Sequence, residues 1–226
     1  MAKHGINEEL KQLIVDTGVE MVNTGMTVGT WGNLSVRDPE TGLVYMSPSG
    51  MDYVRIRPEH VVVMTTDLEL VDGTAEPSIE KNMHAAVYRH RDDVHAVVHT
   101  HPIYSSVFGV IREELPAVSE DFAQIVGEKV QVAEPYQLPG TPELGKVASE
   151  TLGQYNAVLL PNHGALSVGP DMHFALKVAN VLEKNAQIYI YSRMLGQPSL
   201  FSRQDIDAMQ SFARTQYGKK NRELVQ

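Results

Sequence analysis

The sequence predicts an α/β or α+β fold in which one antiparallel or mixed sheet is covered by helices. Three observations lead there. Helical and strand periodicities are interleaved along the 226 residues, the pattern of a sheet packed against helices. Several strand candidates, such as residues 156–160 and 165–168, are joined by hairpin-length turns, whereas parallel pairing needs a long crossover. Connections are short throughout, with no linker, repeat or low-complexity segment, so residues 1–226 read as one domain.

Residues 7–24 read as the first helix. Asn7 is a candidate N-cap, Glu8 and Glu9 suit the first turn, and Leu10, Leu13, Ile14, Met21 and Val22 make an apolar stripe that Gly25 ends. The segment "TVGTWGNLSVRD" is a Gly-rich turn running into the alternation of Leu34 and Val36, a strand signal. "TGLVYMSPSGMDY" repeats this as a short strand and a tight Ser-Pro-Ser-Gly loop. "HVVVMTT" reads as a buried strand and "DLELVDG" as a strand and turn. "EPSIEKNMHAAVYRHR" predicts a helix with Ser78 as N-cap and Glu80 in its first turn. "VHAVVHTH" is a buried strand, "PIYSSVFGVI" a helix and "SEDFAQIVG" a weak helix. Thr141 followed by Pro142 is a helix start. A strand, turn and strand follow in "NAVLLPNHGALSVG". Residues 171–195 form a long helix closed by Gly196, and Ser202 to Asp205 form a capping box that opens a last helix to about Tyr217.

Composition narrows the function classes. The chain has no cysteine, so disulfides, thiolate nucleophiles and Cys-ligated metals are excluded, and any metal must be held by His, Asp or Glu. A formal charge of −9 argues against nucleic acid as the main partner, because phosphate backbones need a basic face. No apolar run approaches the roughly 20 residues that span a bilayer, and "MAKHGINEELKQ" lacks a signal-peptide core. The expectation is a cytoplasmic enzyme or binding protein with no membrane partner.

The chemistry concentrates in "VVHTHP". Side chains alternate along a strand, so His99 and His101 face the same way, about 6–7 Å apart along the chain. Two such imidazoles can grip one divalent ion, although hydrogen-bonded core histidines, cupins and many hydrolases show the same pair. His163, in "LLPNHGALS", also closes an apolar strand and is followed by Gly164. Three imidazoles with one open position are the pattern of a catalytic zinc site. His84, His90 and His95 read as surface or helix-face residues; His4, His60 and His173 carry no motif. Glu80 reads as an N-terminal helix carboxylate, but its helix leads into the histidine strand, which would bring it near the metal. "GTWGN" lacks the G-x-G-x-x-G spacing of a dinucleotide fingerprint. Together with "SPSG" and Ser78, it supplies hydroxyls and turn N–H groups of the kind that bind phosphate or carboxylate.

In their order and spacing, "GTWGNLSVR", "SPSG", "EPSIE…MHAAVY", "VVHTHP" and "PNHG" resemble the class II aldolase/adducin family, over almost the whole chain. Within it, the resemblance is to the L-fuculose-1-phosphate aldolase and L-ribulose-5-phosphate 4-epimerase group. The resemblance implies a three-layer αβα fold with a central, largely antiparallel sheet. It implies one Zn²⁺ per subunit (Mn²⁺ or Co²⁺ as substitutes) held by His99, His101 and His163. Glu80 would be the acid/base residue, approaching the metal when substrate is absent. Thr30, Asn33, Ser49, Gly50 and Ser78 fall on the phosphate-binding positions, and Tyr217 on a tyrosine that helps protonate the aldehyde oxygen. The implied assembly is a homotetramer with sites at subunit boundaries, acting on a small sugar phosphate.

The resemblance implies a metal-dependent aldolase that cleaves a ketose phosphate through a zinc-stabilised enediolate. Glu80 favours this over epimerisation, since the epimerases usually carry aspartate there. Two departures keep a sugar-acid phosphate decarboxylase or a pentulose-phosphate 4-epimerase open. Ile79 stands where a second phosphate-binding serine is common, and Glu120 where a second aldolase tyrosine falls. A non-catalytic adducin-type scaffold is disfavoured by retention of the three histidines with Glu80, and a cupin by at least four strong helices.

Overall fold

Residues 5–217 are described by the computed structural model of the chain. The first half runs α1 (Glu8–Asn23), β1 (Asn33–Arg37), β2 (Val44–Met46), β3 (Val62–Met64), β4 (Leu70–Asp72), α2 (Lys81–His90), β5 (Ala96–Thr100) and α3 (Ile103–Ile111). It continues with β6 (Leu115–Pro116), α4 (Glu120–Ile125), β7 (Lys129–Val130), α5 (Pro142–Leu152), β8 (Ala157–Leu160), β9 (Gly164–Gly169), α6 (Met172–Leu195) and α7 (Arg203–Thr215). Seven strands form one sheet in the order β4-β3-β2-β1-β5-β9-β8. Every pairing in it is antiparallel. The two-residue strands β6 and β7 pair separately and are too short to show a period.

Alternation along the strands builds the three layers. Leu34 and Val36 of β1 and Ala96 and Val98 of β5 point to one face, against Ile14 and Met21 of α1 and Leu176 and Ala179 of α6. Val97 of β5 and Leu166 and Val168 of β9 face the other way, against Met83 and Val87 of α2 and Leu144 and Ala148 of α5. A third cluster joins Phe108 of α3, Phe122 of α4 and Ile206 of α7 to Leu159 of β8 and Leu182 of α6. Every residue of β5 is buried, which is why that strand reads as a continuous apolar run with no alternation.

The predicted helix starts at Asn7, Thr141 and Ser202 are seen as side-chain caps, and Asp171 does the same for α6. One start differs. The prediction puts Ser78 at the N-cap of α2, but the helix begins at Lys81 with Glu80 at the cap position. Residues 78–81 close a separate turn, in which the N–H of Lys81 donates to the Ser78 carbonyl at 3.1 Å. That turn frees the Glu80 carboxylate from capping its own helix.

α3 follows the histidine strand directly, and its start is secured from outside. Pro102 at its N-cap offers no side-chain acceptor. Instead the Glu183 carboxylate on α6 accepts from the N–H groups of Tyr104 at 2.7 Å and Ser105 at 2.8 Å. This satisfies two of the four orphan donors of the helix and places negative charge at its positive end. Glu183→Ala is expected to cost about 1–2 kcal/mol and lower the thermal midpoint by about 2–8 °C. Glu183→Gln, which keeps one acceptor, should fall between. An unchanged midpoint in both would show that the cap is not stabilising.

Candidate metal centre and cleft

Three neighbouring strand ends carry the candidate site. Asn33 at the start of β1 pairs with His99 on β5, and Thr100 pairs with Ala165 on β9. His101 lies just past β5, and its N–H donates to the Met26 carbonyl at 2.9 Å. His163 sits in the tight β8–β9 turn after Asn162, whose φ of 53° is left-handed. Two glycines allow the close approach. Gly32 adopts φ +73°, and a Cβ there would stand 2.6 Å from the His99 carbonyl; at Gly164 one would collide with the Thr100 carbonyl. The Tyr53 hydroxyl donates to the Gly32 carbonyl at 2.9 Å and so pins the "GTWGN" turn.

The three imidazoles meet as the alternation argument predicts. Their ring centroids are 4.7, 4.7 and 5.0 Å apart, and one nitrogen from each lies within 4.8 Å of the others. The Nε2 atoms of His99 and His101 are 2.9 Å apart. His99 Nδ1 lies 3.0 Å from the Ala165 carbonyl, which can only accept. Nδ1 therefore carries the proton in the neutral ring, and the Nε2 lone pair is directed at the other rings. Glu80 completes the cluster, with Oε2 3.1 Å from His99 Nε2 and Oε1 3.4 Å from His163 Nε2. Its Oε1 is buried without a hydrogen-bond partner. Three converging imidazole nitrogens beside a buried carboxylate oxygen without a partner fit a divalent cation, whose charge would satisfy all four groups.

Electrostatics favour the same use. Burial first, and then the neighbouring His99, push His101 down to about 3 and His163 down to about 4. Both rings are therefore neutral at pH 7 with lone pairs free to bind. Burial alone would raise the Glu80 carboxyl, but the His99 and His163 rings and the Asn33 amide outweigh it and hold it below the usual carboxylate range. His99 moves the opposite way: burial lowers it, and the Glu80 carboxylate outweighs that and raises it. A metal competes with a proton for this ring. Adding Zn²⁺ to metal-free protein at pH 6, below the raised His99 value, should therefore release about one proton per site. The release should fade as pH rises through that value. Calorimetry in two buffers of different ionisation enthalpy measures it, and no release at pH 6 would contradict the pairing of His99 with Glu80.

A cleft of about 250 Å³ opens onto the cluster. The expected anion-binding residues Thr30, Asn33, Ser49, Gly50 and Ser78 line it together with Glu80, His101 and His163. Asn33 is there with its side chain engaged at both ends, donating to Glu80 Oε2 at 2.8 Å and lying 2.6 Å from His84 Nε2 through Oδ1. Ser78 is buried, and its Oγ accepts from the Glu80 N–H at 3.2 Å. Ile79 also lines the cleft and presents an apolar surface there, 60% exposed. Glu120 is exposed at the start of α4 and does not line the cleft. Tyr217 lies past the end of α7 with its ring 6.2 Å from that of Phe212, and it too is absent from the cleft lining.

Sequence reasoning missed two residues and misread one of them. Trp31, the sole tryptophan, is 65% exposed at the cleft, its ring centroid 6.0 Å from that of His101. His84, read as a surface residue, is fully buried against Asn33 and Ser35. Arg89 and His90 cover the outer face of α2, whereas His84, flanked by the buried Met83 and Ala85, turns inward. The signal was the four-residue spacing from Glu80, which puts both at one side of the helix. His90 and His173 are exposed, His60 and His95 are half-buried, and His4 lies outside the described residues.

The class II aldolase and adducin N-terminal domain family matches residues 12–190. The chain belongs to this family. Among class II aldolase relatives, the 5-deoxy-D-ribulose 1-phosphate aldolase of Bacillus thuringiensis serovar kurstaki is 39% identical over 197 residues, covering 87% of this chain and 92% of that protein. An L-ribulose-5-phosphate 4-epimerase of Salmonella paratyphi B is 30% identical over 191 residues, covering 80% and 84%. A solved L-fuculose 1-phosphate aldolase superposes with TM-score 0.90 at 35% identity, over 93% of this chain and 99% of that one. The three-layer αβα class II aldolase fold expected from the sequence is the fold observed. No helix among the described residues is long and apolar enough to cross a membrane.

Proposed function

We propose that the protein is a metal-dependent aldolase that cleaves a ketose 1-phosphate, with the character of an L-fuculose-1-phosphate aldolase. One observation carries the reading: an ionised, buried carboxylate sits among three histidines at the floor of a cleft lined by hydroxyls and turns. His99, His101 and His163 would hold a Zn²⁺, with Mn²⁺ or Co²⁺ as substitutes. When bound, the ion supplies positive charge opposite the negative charge that develops on substrate oxygens as the bond breaks.

The chain's own groups do the rest. Thr30, Asn33, Ser49, Gly50 and Ser78 bind the phosphate in the cleft they line, and Asn33 also donates to Glu80 Oε2. Glu80, ionised at neutral pH, takes up and returns the proton at the carbon freed by cleavage. Tyr217, with its ring outside the cleft of its own chain, serves the aldehyde oxygen of a neighbouring subunit in a homotetramer. Among the described residues no lysine lines the cleft, and this reading uses no lysine Schiff base.

Ile79 favours a second reading. An apolar side chain beside Ser78 removes one anion donor, which suits a sugar-acid phosphate decarboxylase or a pentulose-phosphate 4-epimerase at the same cluster. Product analysis on a panel of ketose 1-phosphates, sugar-acid phosphates and pentulose 5-phosphates decides between them. The aldolase reading predicts equal amounts of an aldehyde and dihydroxyacetone phosphate. Carbon dioxide or an isomeric pentulose phosphate as the product would overturn it.

A further inference from the structure

A chain of buried hydrogen bonds runs from the sheet to Glu80. Tyr88 OH lies 2.8 Å from Ser35 Oγ, and Ser35 Oγ lies 2.6 Å from His84 Nδ1. His84 Nε2 lies 2.6 Å from Asn33 Oδ1, and Asn33 Nδ2 donates to Glu80 Oε2 at 2.8 Å. The direction of each bond follows from chemistry. A carboxylate only accepts, so the Asn33 amide presents its NH₂ to Glu80 and its oxygen to His84. That oxygen only accepts, so His84 must carry its proton on Nε2. Nδ1 is then the acceptor for Ser35, which leaves Tyr88 to donate to Ser35. Burial pushes His84 down to about 3, so the neutral ring this order requires is the one present at working pH.

We propose that His84 is a positioning residue for the reaction. Through its Nε2–H it sets the orientation of the Asn33 amide, and the amide in turn holds Glu80 Oε2. Were the amide to rotate, its oxygen would face the carboxylate oxygen and repel it. The backbone cannot hold Glu80 in this way, because Glu80 occupies a helix cap position and its carboxylate caps nothing. The sheet contributes through Ser35 of β1, which reaches His84 and Tyr88 of α2 from between apolar Leu34 and Val36. This role rests on the acid/base reading of Glu80.

Exchange of the carbon-bound hydrogen of dihydroxyacetone phosphate with deuterium oxide in the metal-loaded protein tests it, since that exchange uses the proton transfer assigned to Glu80 without carbon–carbon cleavage. A glutamine at position 84 places its amide N–H near the site of Nε2 and restores the donor to Asn33. An asparagine reaches only the position of Nδ1 and does not. The expected kcat for exchange is within about 5-fold of the unmodified protein in His84→Gln and about 10–100-fold lower in His84→Asn. KM and zinc content should hold in both. In a Glu80→Gln background, His84→Asn should have no further effect, because the group it positions is gone. If His84→Asn does not fold, Ser35→Ala, which removes the hydrogen bond that anchors His84 Nδ1 to the sheet, should lower kcat alone. Equal rates in the asparagine and glutamine variants, or an unchanged kcat in Ser35→Ala, would overturn the positioning role while the Glu80 assignment stands. If the unmodified protein shows no exchange, or Glu80→Gln exchanges normally, the acid/base reading fails and this role fails with it.

Discussion

His99→Ala is expected to lose the bound metal and to reduce turnover by about 10³-fold or more. His99 is fully buried, its Nδ1 proton is tied to Ala165, and its Nε2 lies 2.9 Å from His101 Nε2 and 3.1 Å from Glu80 Oε2. Without it, two imidazoles remain beside a carboxylate, a weaker and less directed set of donors. The fold should survive, because β5 is held by pairing with β1 on one side and β9 on the other. Metal content and turnover measured on the folded variant check this together. Full turnover with normal metal content would contradict the assignment of the centre.

Glu80→Gln should behave differently. The side chain keeps its size, so the three histidines should still bind the ion and substrate affinity should change little. Only the proton acceptor is lost, and kcat should fall by about 10²–10⁴-fold. Because Glu80 is held below the usual carboxylate range, the unmodified protein should keep this group ionised at every pH above the ordinary ~4.5. The acid side of its rate profile should therefore follow protons competing for His99. Steady-state kinetics with metal analysis separates the two variants: one loses both ion and rate, the other rate alone.

Much of this was legible from local chemistry. Asn7, Thr141 and Ser202 announce helix starts because a short polar side chain there satisfies N–H groups that the helix leaves open. The antiparallel sheet was legible from the short turn between β8 and β9. The three metal-binding candidates were legible because each closes an apolar strand, where an unpaired polar ring is expensive without a partner. What was hidden depended on contacts distant in sequence. His84 is a polar ring on a short helix, and its partners Ser35 and Asn33 on β1 are 49 and 51 residues away in sequence. The delayed start of α2 depends on the turn at residues 78–81, which a good cap residue at Ser78 conceals. Trp31 was overshadowed by the hydroxyls and amides around it, and its place 6.0 Å from the His101 ring arises from the fold of the loop.

The most direct test of a catalytic metal at His99, His101 and His163 is one titration. The protein is stripped with a chelator, and turnover of a ketose 1-phosphate is followed as Zn²⁺ is returned in measured amounts. Turnover should be absent at the start, rise linearly and reach its plateau at about one ion per subunit. Full turnover in the stripped protein, or a plateau unrelated to the metal added, would contradict it.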